Sequence, residues 1–590
     1  MGANFSISMM SGVIKQSYFY SPLLLLLLII IHVPVDDVSA AGLNSLHSIA
    51  TWWVIALQSI VIIFSKWNKT DFFGLNYVFW LMLAFLLINF SLITTNELGW
   101  QINALGRTAF IILLLVFFCL HIQSRTTWMD AHLFIGILAV AAFIQAIVTI
   151  LQLYTPYFSW RWLHYNPLAA EGRPLGMFGQ VNLLGSFLAT GLGAALWSVV
   201  QCRRKNSIFA WVVILLTIGF ALYLTHSRTG WLGATIAMVG LVIFSPAKMR
   251  RKTTLLITGL IVGCWLLIQI IPSPGIPVLV PAEHQMQSQA DKTAINSDAK
   301  DASAFSLERM RAESSIQRRQ MLEGSVALIK QHPLLGAGAG SFESVWPDAL
   351  ASTGQVSSFE HTVTHPHNEI LFVLAEGGIV ALSGLLLFAG IFCIPLIKGS
   401  HRSRTIWALT LPIALHCMTE YPFYLSAVHA VIFLLLLRLS WPVRLLKLRE
   451  VSLSLKRFIL IAVGGLCLWG MFFLHTAWQT RAILRTAERS GLTDTELLKD
   501  VPNSFAQYDR LQFNRCVSEL MAFNQSRKTA HLNQFERCAS SWLHVHNDAN
   551  MTASLITIAK SKGDLEAAEK WRIRGHRDFP FDPRFLRGDL

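Results

Sequence analysis

Long apolar runs recur along this chain from end to end, parted by short polar clusters. Examples are Leu23 to Ile31, Phe110 to Leu120 and Val431 to Leu437. With its flanks each run reaches about 17 to 25 residues, enough to cross a hydrocarbon core. Lipid offers the backbone no hydrogen-bond partner, so a chain patterned this way must cross as helices. Only 14% of the residues are charged, where a soluble domain carries about 25%. The fold class expected is an all-α polytopic membrane protein. Thirteen spans are predicted, over residues 18–34, 49–65, 76–94, 104–122, 131–153, 177–200, 207–225, 229–247, 253–272, 368–397, 405–422, 424–440 and 457–475.

Lysine and arginine in the short loops set the orientation. Alternate connections carry Lys66 and Lys69; Arg125; Arg203, Arg204 and Lys205; Lys248, Arg250, Arg251 and Lys252; Lys398, Arg402 and Arg404; and Arg438 through Arg457. The intervening ones hold Asp36 and Asp37, then Glu97, then Glu420. Lys15 falls on the basic side, so the N-terminus is read as cytoplasmic and the first helix as uncleaved. The formal charge of +14 is thus a matter of topology rather than of nucleic-acid binding. An odd number of spans then exports everything after the last one.

Four regions follow: a transmembrane part over 1–271, an outward loop over 272–366, a second transmembrane part over 367–475, and an exported helical tail over 476–590. The loop opens proline-rich and closes with a helical pattern near Ser314 to Lys330. The tail has helical periodicity at Ala482, Leu484 and Ala487, and again from Ala553 to Ala568. The eight cysteines contain no CxxC pair, so no zinc or iron–sulfur site is expected. Cys516 and Cys538 share the exported tail and could pair, although nothing in the sequence sets their distance.

Two sets of residues carry candidate chemistry on the outward side. The loop ends in His361-Thr-Val-Thr-His365-Pro-His367-Asn368-Glu369, directly before an apolar helix. Pro366 forces His365 to be extended and suits the first turn of that helix. His367 then stands at the helix mouth, where a neutral imidazole is a natural general base, or a headgroup-bonding interfacial histidine. Arginines make the second set: Arg173 near Gln180 and Asn182, Arg228 beside His226 and Ser227, and Arg318 with Arg319 on the loop helix. Arginine forks suit phosphate oxygens, although arginines at membrane edges often only snorkel. Gly336-Ala-Gly338-Ala-Gly340 lacks a following lysine and is better read as a tight turn than as a phosphate cradle. Glu420, before Tyr421 and Pro422, is a carboxylate suited to hold an arginine, to orient the catalytic histidine, or simply to sit in a turn.

In this order the motifs resemble those of bacterial protein O-oligosaccharyltransferases of the PglL type, within the O-antigen ligase and polymerase (Wzy_C, WaaL-like) superfamily. The matching stretches are Arg173 to Asn182, the Ser-Arg-Thr-Gly segment around Arg228, Arg318 to Phe342, and His365 to Gly378. The Glu420-Tyr-Pro turn and the exported tail are similar to the protein-glycosylating branch. Departures from the family pattern fall at Val181, Leu322 and Ala381. The resemblance implies about thirteen transmembrane helices in a GT-C-like ligase fold, with an amphipathic helix in the periplasmic loop and a helical periplasmic C-terminal domain. It also implies an inner-membrane glycosyltransferase with its active site facing the periplasm.

Its donor would be an oligosaccharide on undecaprenyl diphosphate, and its acceptor a serine or threonine of a pilin or other periplasmic protein. Under that resemblance Arg173, Arg228 and Arg318 bind the diphosphate and His367 is the general base. His365, Asn368, Glu420, Gln180, Asn182 and Arg319 are supporting groups. No metal or cofactor is implied, transfer inverts the anomeric carbon, and nucleic acid is not a partner. Two other readings stay open: a ligase to lipopolysaccharide core or an O-antigen polymerase, and a transporter of polyprenyl-linked sugars. The topology has a direct test. Alkaline phosphatase fused after Gly354 or after Ser526 is expected to be active in cells, and fused after Arg251 or Ser403 to be inactive; activity in the latter pair reverses the orientation.

Overall fold

The computed structural model describes residues 20–35, 41–73, 75–123, 128–167, 169–170, 172–271, 316–359, 362–442, 445–446 and 448–586. The readings placed on Lys15, Asp36, Asp37, Arg125, His361 and the stretch from Pro272 to Ser315 lie outside these residues. Among the described residues, eight helices are long and apolar enough to cross a membrane. Three shorter apolar helices, Ser21–His32, Arg228–Phe244 and Ala427–Ser440, accompany them. The chain is an all-α polytopic membrane protein. Among the described residues its strands are one three-residue pair, Asp71–Phe73 antiparallel to Leu448–Glu450 with Asp71 opposite Glu450.

The predicted spans fall on helix over their described residues, several with breaks: 76–94 turns at residues 89–90 and 368–397 is kinked at Gly378. The span expected over 405–422 is two short helices, His401–Ala408 and Leu411–His416, and then a turn through Glu420. Pro412 sits in the first turn of the second, where a missing N–H costs least. The span expected over 253–272 is the helix Ala247–Ile270, whose first two turns carry Lys248, Arg250, Arg251 and Lys252. Arg438, counted above with a basic loop, instead lies in the last turn of Ala427–Ser440. It is buried there and donates from Nε to His121 O at 2.9 Å.

The chain divides into two compact units. The first comprises residues 1–87, 105–274 and 383–515. At its centre lies the helix Val181–Gln201, apolar all round and buried along almost its whole length, as an interior helix must be. Helices Trp128–Tyr154, Lys205–Leu224 and Arg228–Phe244 pack against it. The helix Leu453–Arg489 has 37 residues, about 55 Å at the usual rise, and so outruns a hydrocarbon core of about 30 Å. Its far end is tied down by Arg481 Nε donating to Asn44 O at 2.8 Å and by the Arg510–Glu488 ion pair at 2.6 Å.

The second unit comprises residues 88–104, 275–382 and 516–590. One apolar cluster joins Met321 and Leu328 of the helix over 316–331 to Phe342, Trp346 and Phe372. Another joins Ile556 and Ala559 to Ala568, Phe579 and Phe585. The periodicity seen from Ala553 to Ala568 resolves into two helices, Ala549–Ser561 and Leu565–Asp578, turned at Gly563.

Cys516 and Cys538, on helices Tyr508–Ser526 and Thr529–Leu543, form a disulfide with Cα atoms 5.5 Å apart. Their separation of 22 residues predicts a loss of about 3 kcal/mol when the loop is opened. Replacing both with serine should therefore speed limited proteolysis of the tail in the purified protein. An unchanged cleavage rate would mean the bridge contributes nothing.

Candidate functional site

In the first unit the site residues hang on buried amides and one buried carboxylate. Gln145 and Gln152 lie seven residues apart on the helix Trp128–Tyr154, hence on one face, and both are buried. Gln152 Oε1 accepts from Leu175 N at 3.1 Å and Gly176 N at 2.8 Å, and its Nε2 donates to Gly176 O at 2.9 Å. Gln145 Oε1 accepts from Met177 N at 3.1 Å. Two side chains thus replace the hydrogen bonds that the chain loses by leaving helical geometry. Gly176 is obligatory here: its φ is +56°, and a Cβ would lie 2.7 Å from Leu184 Cδ1 and 2.9 Å from Gln145 Oε1.

Arg173, exposed, begins this turn, and Tyr165 Oη donates to its carbonyl at 3.1 Å. Burial pushes the Tyr165 phenol up to about 12, so it keeps its proton and its donor role at any physiological pH. A cavity of about 470 Å³ opens here, lined among others by Gln152, His164, Asn166, Arg173 and Gln180.

Glu420 is 5% exposed, and three donors converge on it. Gln180 Nε2 reaches Oε2 at 2.8 Å, Asn182 Nδ2 reaches Oε1 at 2.5 Å, and His416 Nε2 lies 3.1 Å from Oε2. His416 Nδ1 is 2.8 Å from Ser186 Oγ. Ser227 Oγ donates to Asn182 Oδ1 at 2.7 Å and accepts from Gly230 N at 3.1 Å, which makes Ser227 the N-cap of the helix that starts at Arg228. The carboxylate thereby ties the start of the central helix to the turn after His416, and through Asn182 and Ser227 to the exposed Arg228. The sequence offers Glu420 as a group to hold an arginine, to orient the catalytic histidine or to sit in a turn; the bonds seen here give it a further role, mounting the segments next to Arg173 and Arg228.

In the second unit the histidine motif lies directly before the helix that begins at Glu369. His365 is buried, and its Nδ1 accepts the backbone N–H of His367 at 3.0 Å. Its Nε2 lies 3.6 Å from Glu369 Oε2. His367 is half-buried with φ +54°, a left-handed conformation that non-glycine residues rarely take. Asn368, rather than Pro366, opens the helix: Asn368 Oδ1 accepts from Leu371 N at 3.1 Å. Pro366 is buried two residues before that cap, so the expectation that it would occupy the first turn does not hold.

Arg318 and Arg319 are both exposed on the helix over 316–331. Arg319 pairs with Glu323 at 2.8 Å. The Gln355 amide, and then Arg319, hold the Glu323 carboxyl below its ordinary range. Gln320 of the same helix grips the strand that leads to the histidines, donating to Val356 O at 2.8 Å and accepting from Ser358 N at 2.8 Å. The glycine-rich segment is a turn packed on the histidine helix. Ala337 N and Gly338 N donate to Ala375 O and Glu376 O, and a Cβ on Gly336 would lie 2.2 Å from Glu376 C. With Gly336 N bonded to His332 O and Ala339 N to Thr95 Oγ1, the amides of residues 336–339 are all engaged in packing.

The structure therefore joins Gln180 and Asn182 to Glu420 directly, and His365 to His367 directly, with Asn368 capping the helix that follows. It adds Gln145, Gln152, Ser186, His416 and Gln320, none of which was singled out from the sequence, and gives Ser227, named there only as a neighbour of Arg228, the role of a cap. The one usable signal was the pair of glutamines on a single face of an otherwise apolar helix, since polar groups in a span are rarely idle.

Among the described residues, helices long and apolar enough to cross a membrane define a multi-pass membrane protein. Two family models match the chain: O-antigen ligase over residues 211–389, and the C-terminal part of the virulence factor membrane-bound polymerase over residues 405–587. The chain belongs to the O-antigen ligase and polymerase superfamily. Among curated proteins none matches it. The family implies a polyprenyl-linked sugar donor with a lipid or protein acceptor.

Three converging donors make the charge of Glu420 matter. Glu420→Gln turns an amide NH₂ toward Gln180 or Asn182, donor against donor, and Glu420→Ala leaves all three unmet. Both variants should lower the thermal stability of the purified protein, each by about 2–4 kcal/mol. A Gln variant as stable as the parent would show that the carboxylate is replaceable.

Proposed function

We propose that the protein transfers an oligosaccharide en bloc from undecaprenyl diphosphate to a serine or threonine of an exported protein such as a pilin, at the periplasmic face of the inner membrane. The observation that supports this most is the shape of the His367 segment. A buried histidine holds the His367 amide, an asparagine caps the helix behind it, and the residue between them is strained, as functional positions often are.

In the reaction, an imidazole nitrogen of His367 takes the proton from the acceptor hydroxyl. The hydroxyl oxygen bonds to the anomeric carbon as the bond from that carbon to the phosphate oxygen breaks. The electron pair leaves with undecaprenyl diphosphate, and a single displacement inverts the configuration. Arg173, Arg228 and Arg318 bind the diphosphate and stabilise the charge that grows on it. His365 and Asn368 hold His367, Gln180, Asn182 and Glu420 mount the segments that carry Arg173 and Arg228, and Arg319 supports the loop helix through Glu323. The Glu420-Tyr-Pro turn and the tail beyond residue 475 favour a protein acceptor. A polymerase extending the same glycan is the second reading, favoured by the polymerase model that matches residues 405–587.

Purified protein with lipid-linked oligosaccharide and an acceptor peptide in detergent is expected to transfer glycan. His367→Ala should slow that transfer by about 10²–10⁴-fold. Arg173→Ala or Arg228→Ala should slow it by about 10²-fold, with lysine retaining part of the rate. Full transfer by His367→Ala would remove the base assignment. Mass spectrometry of exported proteins with and without the gene separates the acceptors: an unchanged glycoproteome with shortened or lost O-antigen would favour ligase or polymerase over protein transfer.

A further inference from the structure

The exported tail makes a set of specific contacts with the loop that carries the histidines, all inside the second unit. Glu343, in the first turn of the helix Phe342–Ala351, is the hub. Its Oε1 accepts from Asn547 N at 2.9 Å, its Oε2 lies 3.0 Å from His546 Nδ1, and its carbonyl accepts from Asn547 Nδ2 at 2.8 Å. Arg574 Nη2 donates to Asn547 Oδ1 at 2.9 Å and so fixes the amide orientation. Arg577 pairs with Asp348 on the same loop helix. Asn547 also reaches the histidine strand itself, because its carbonyl accepts from Thr362 Oγ1 at 2.7 Å.

Thr362 stands three residues before His365 on extended chain with no ladder of its own. From Ser358, held by Gln320, to His365, held against Phe372 at 4.3 Å between ring centroids, the Thr362 hydroxyl is a mid-segment anchor. Glu343 is largely buried together with His546, each side chain 11% exposed, so these bonds are sheltered from competing water.

We propose that the C-terminal helical tail is an intramolecular latch: through Asn547 it holds the loop helix at Glu343 and the histidine strand at Thr362, and thereby sets the conformation of His367. Glu343, Asn547 and Thr362 are positioning residues, and their effect on catalysis rests on the reading of His367 as the base. Loosening the latch leaves the imidazole intact but spreads its positions, and misplacement on the order of 1 Å costs up to about 10²-fold in rate.

The test uses the full-length protein in detergent with the isosteric Thr362→Val, and separately Glu343→Ala. Hydrogen exchange of the peptide covering residues 362–371 is the readout that does not depend on activity. Faster exchange there in both variants is expected, with kcat about 10- to 100-fold lower and the donor KM within about twofold. A Glu343→Cys, Asn547→Cys pair, made with Cys516 and Cys538 replaced by serine, should recover both exchange protection and rate when oxidised, and lose them when reduced. Unchanged exchange and unchanged kcat in Thr362→Val and Glu343→Ala would overturn the latch. Faster exchange without loss of rate would keep the latch and remove His367 from the chemistry, a result that full activity of His367→Ala would corroborate.

Discussion

A backbone in lipid has no water to fall back on, and this single constraint explains most of what surrounds the site. Within a helix the chain meets its own needs. Where it turns aside at Leu175 to Met177, side chains must do so instead, whereas from Cys417 to Glu420 the backbone still bonds to itself and the Glu420 side chain serves other side chains. Gln152 alone serves two amides and one carbonyl, and Gln145 serves a third amide. Glu420 takes two amide donors and a histidine. The polar residues of the first unit are therefore the material from which its non-helical turns are made, and those turns carry Arg173 and adjoin Arg228. A guanidinium projecting from such a mount keeps its root fixed while its tip is exposed, an economical way to present charge to a lipid headgroup.

The second unit solves the same problem by another route. Its segments on the way to His367 are held from three places: the Gln320 side chain at Val356 and Ser358, the Asn547 carbonyl at Thr362, and the His365 ring at His367. Glycines at 336 and 378 bring backbone against backbone where any Cβ would collide. Strain accumulates where these restraints converge. Of the five non-glycine residues with positive φ among those described, three are histidines: His164, His226 and His367. Each stands within ten residues of a candidate arginine or is itself the candidate base, and strained backbone persists only where its surroundings over-determine it.

The spans were legible because period and length survive in one dimension, and so were the loop arginines and the histidine motif, which are contiguous in sequence. Asn368 as a cap was within reach too, being a standard helix start, but Pro366 was the louder signal. Glu420 was visible as a residue, though its role was not, since Gln180 and Asn182 are some 240 positions away. The same holds for Asn547 with Glu343, and for Thr95, whose hydroxyl accepts from Ala339 N across 244 positions. Long-range partners of a polar side chain leave no periodic trace. The break within 405–422 was hidden because an apolar average is indifferent to whether the helix is continuous.

The character of the buried polar groups also bears on transport. A transporter keeps its polar groups near the midplane, at broken helices, where they meet the substrate and are exposed first to one side and then to the other. Such groups must exchange partners as the parts rock. In the first unit Ser227, Asn182, Glu420, His416 and Ser186 form one connected set, each bonded to the next at 2.5–3.1 Å. Opening a path through it would strand a carboxylate and several amides without partners, at about 1–3 kcal/mol for each neutral group and more for the charge. A set bonded this closely favours one arrangement. Under the function proposed above, that is the property wanted of a mount for groups that meet a diphosphate repeatedly in the same geometry, and it weighs toward catalysis at a fixed surface over passage through the bilayer.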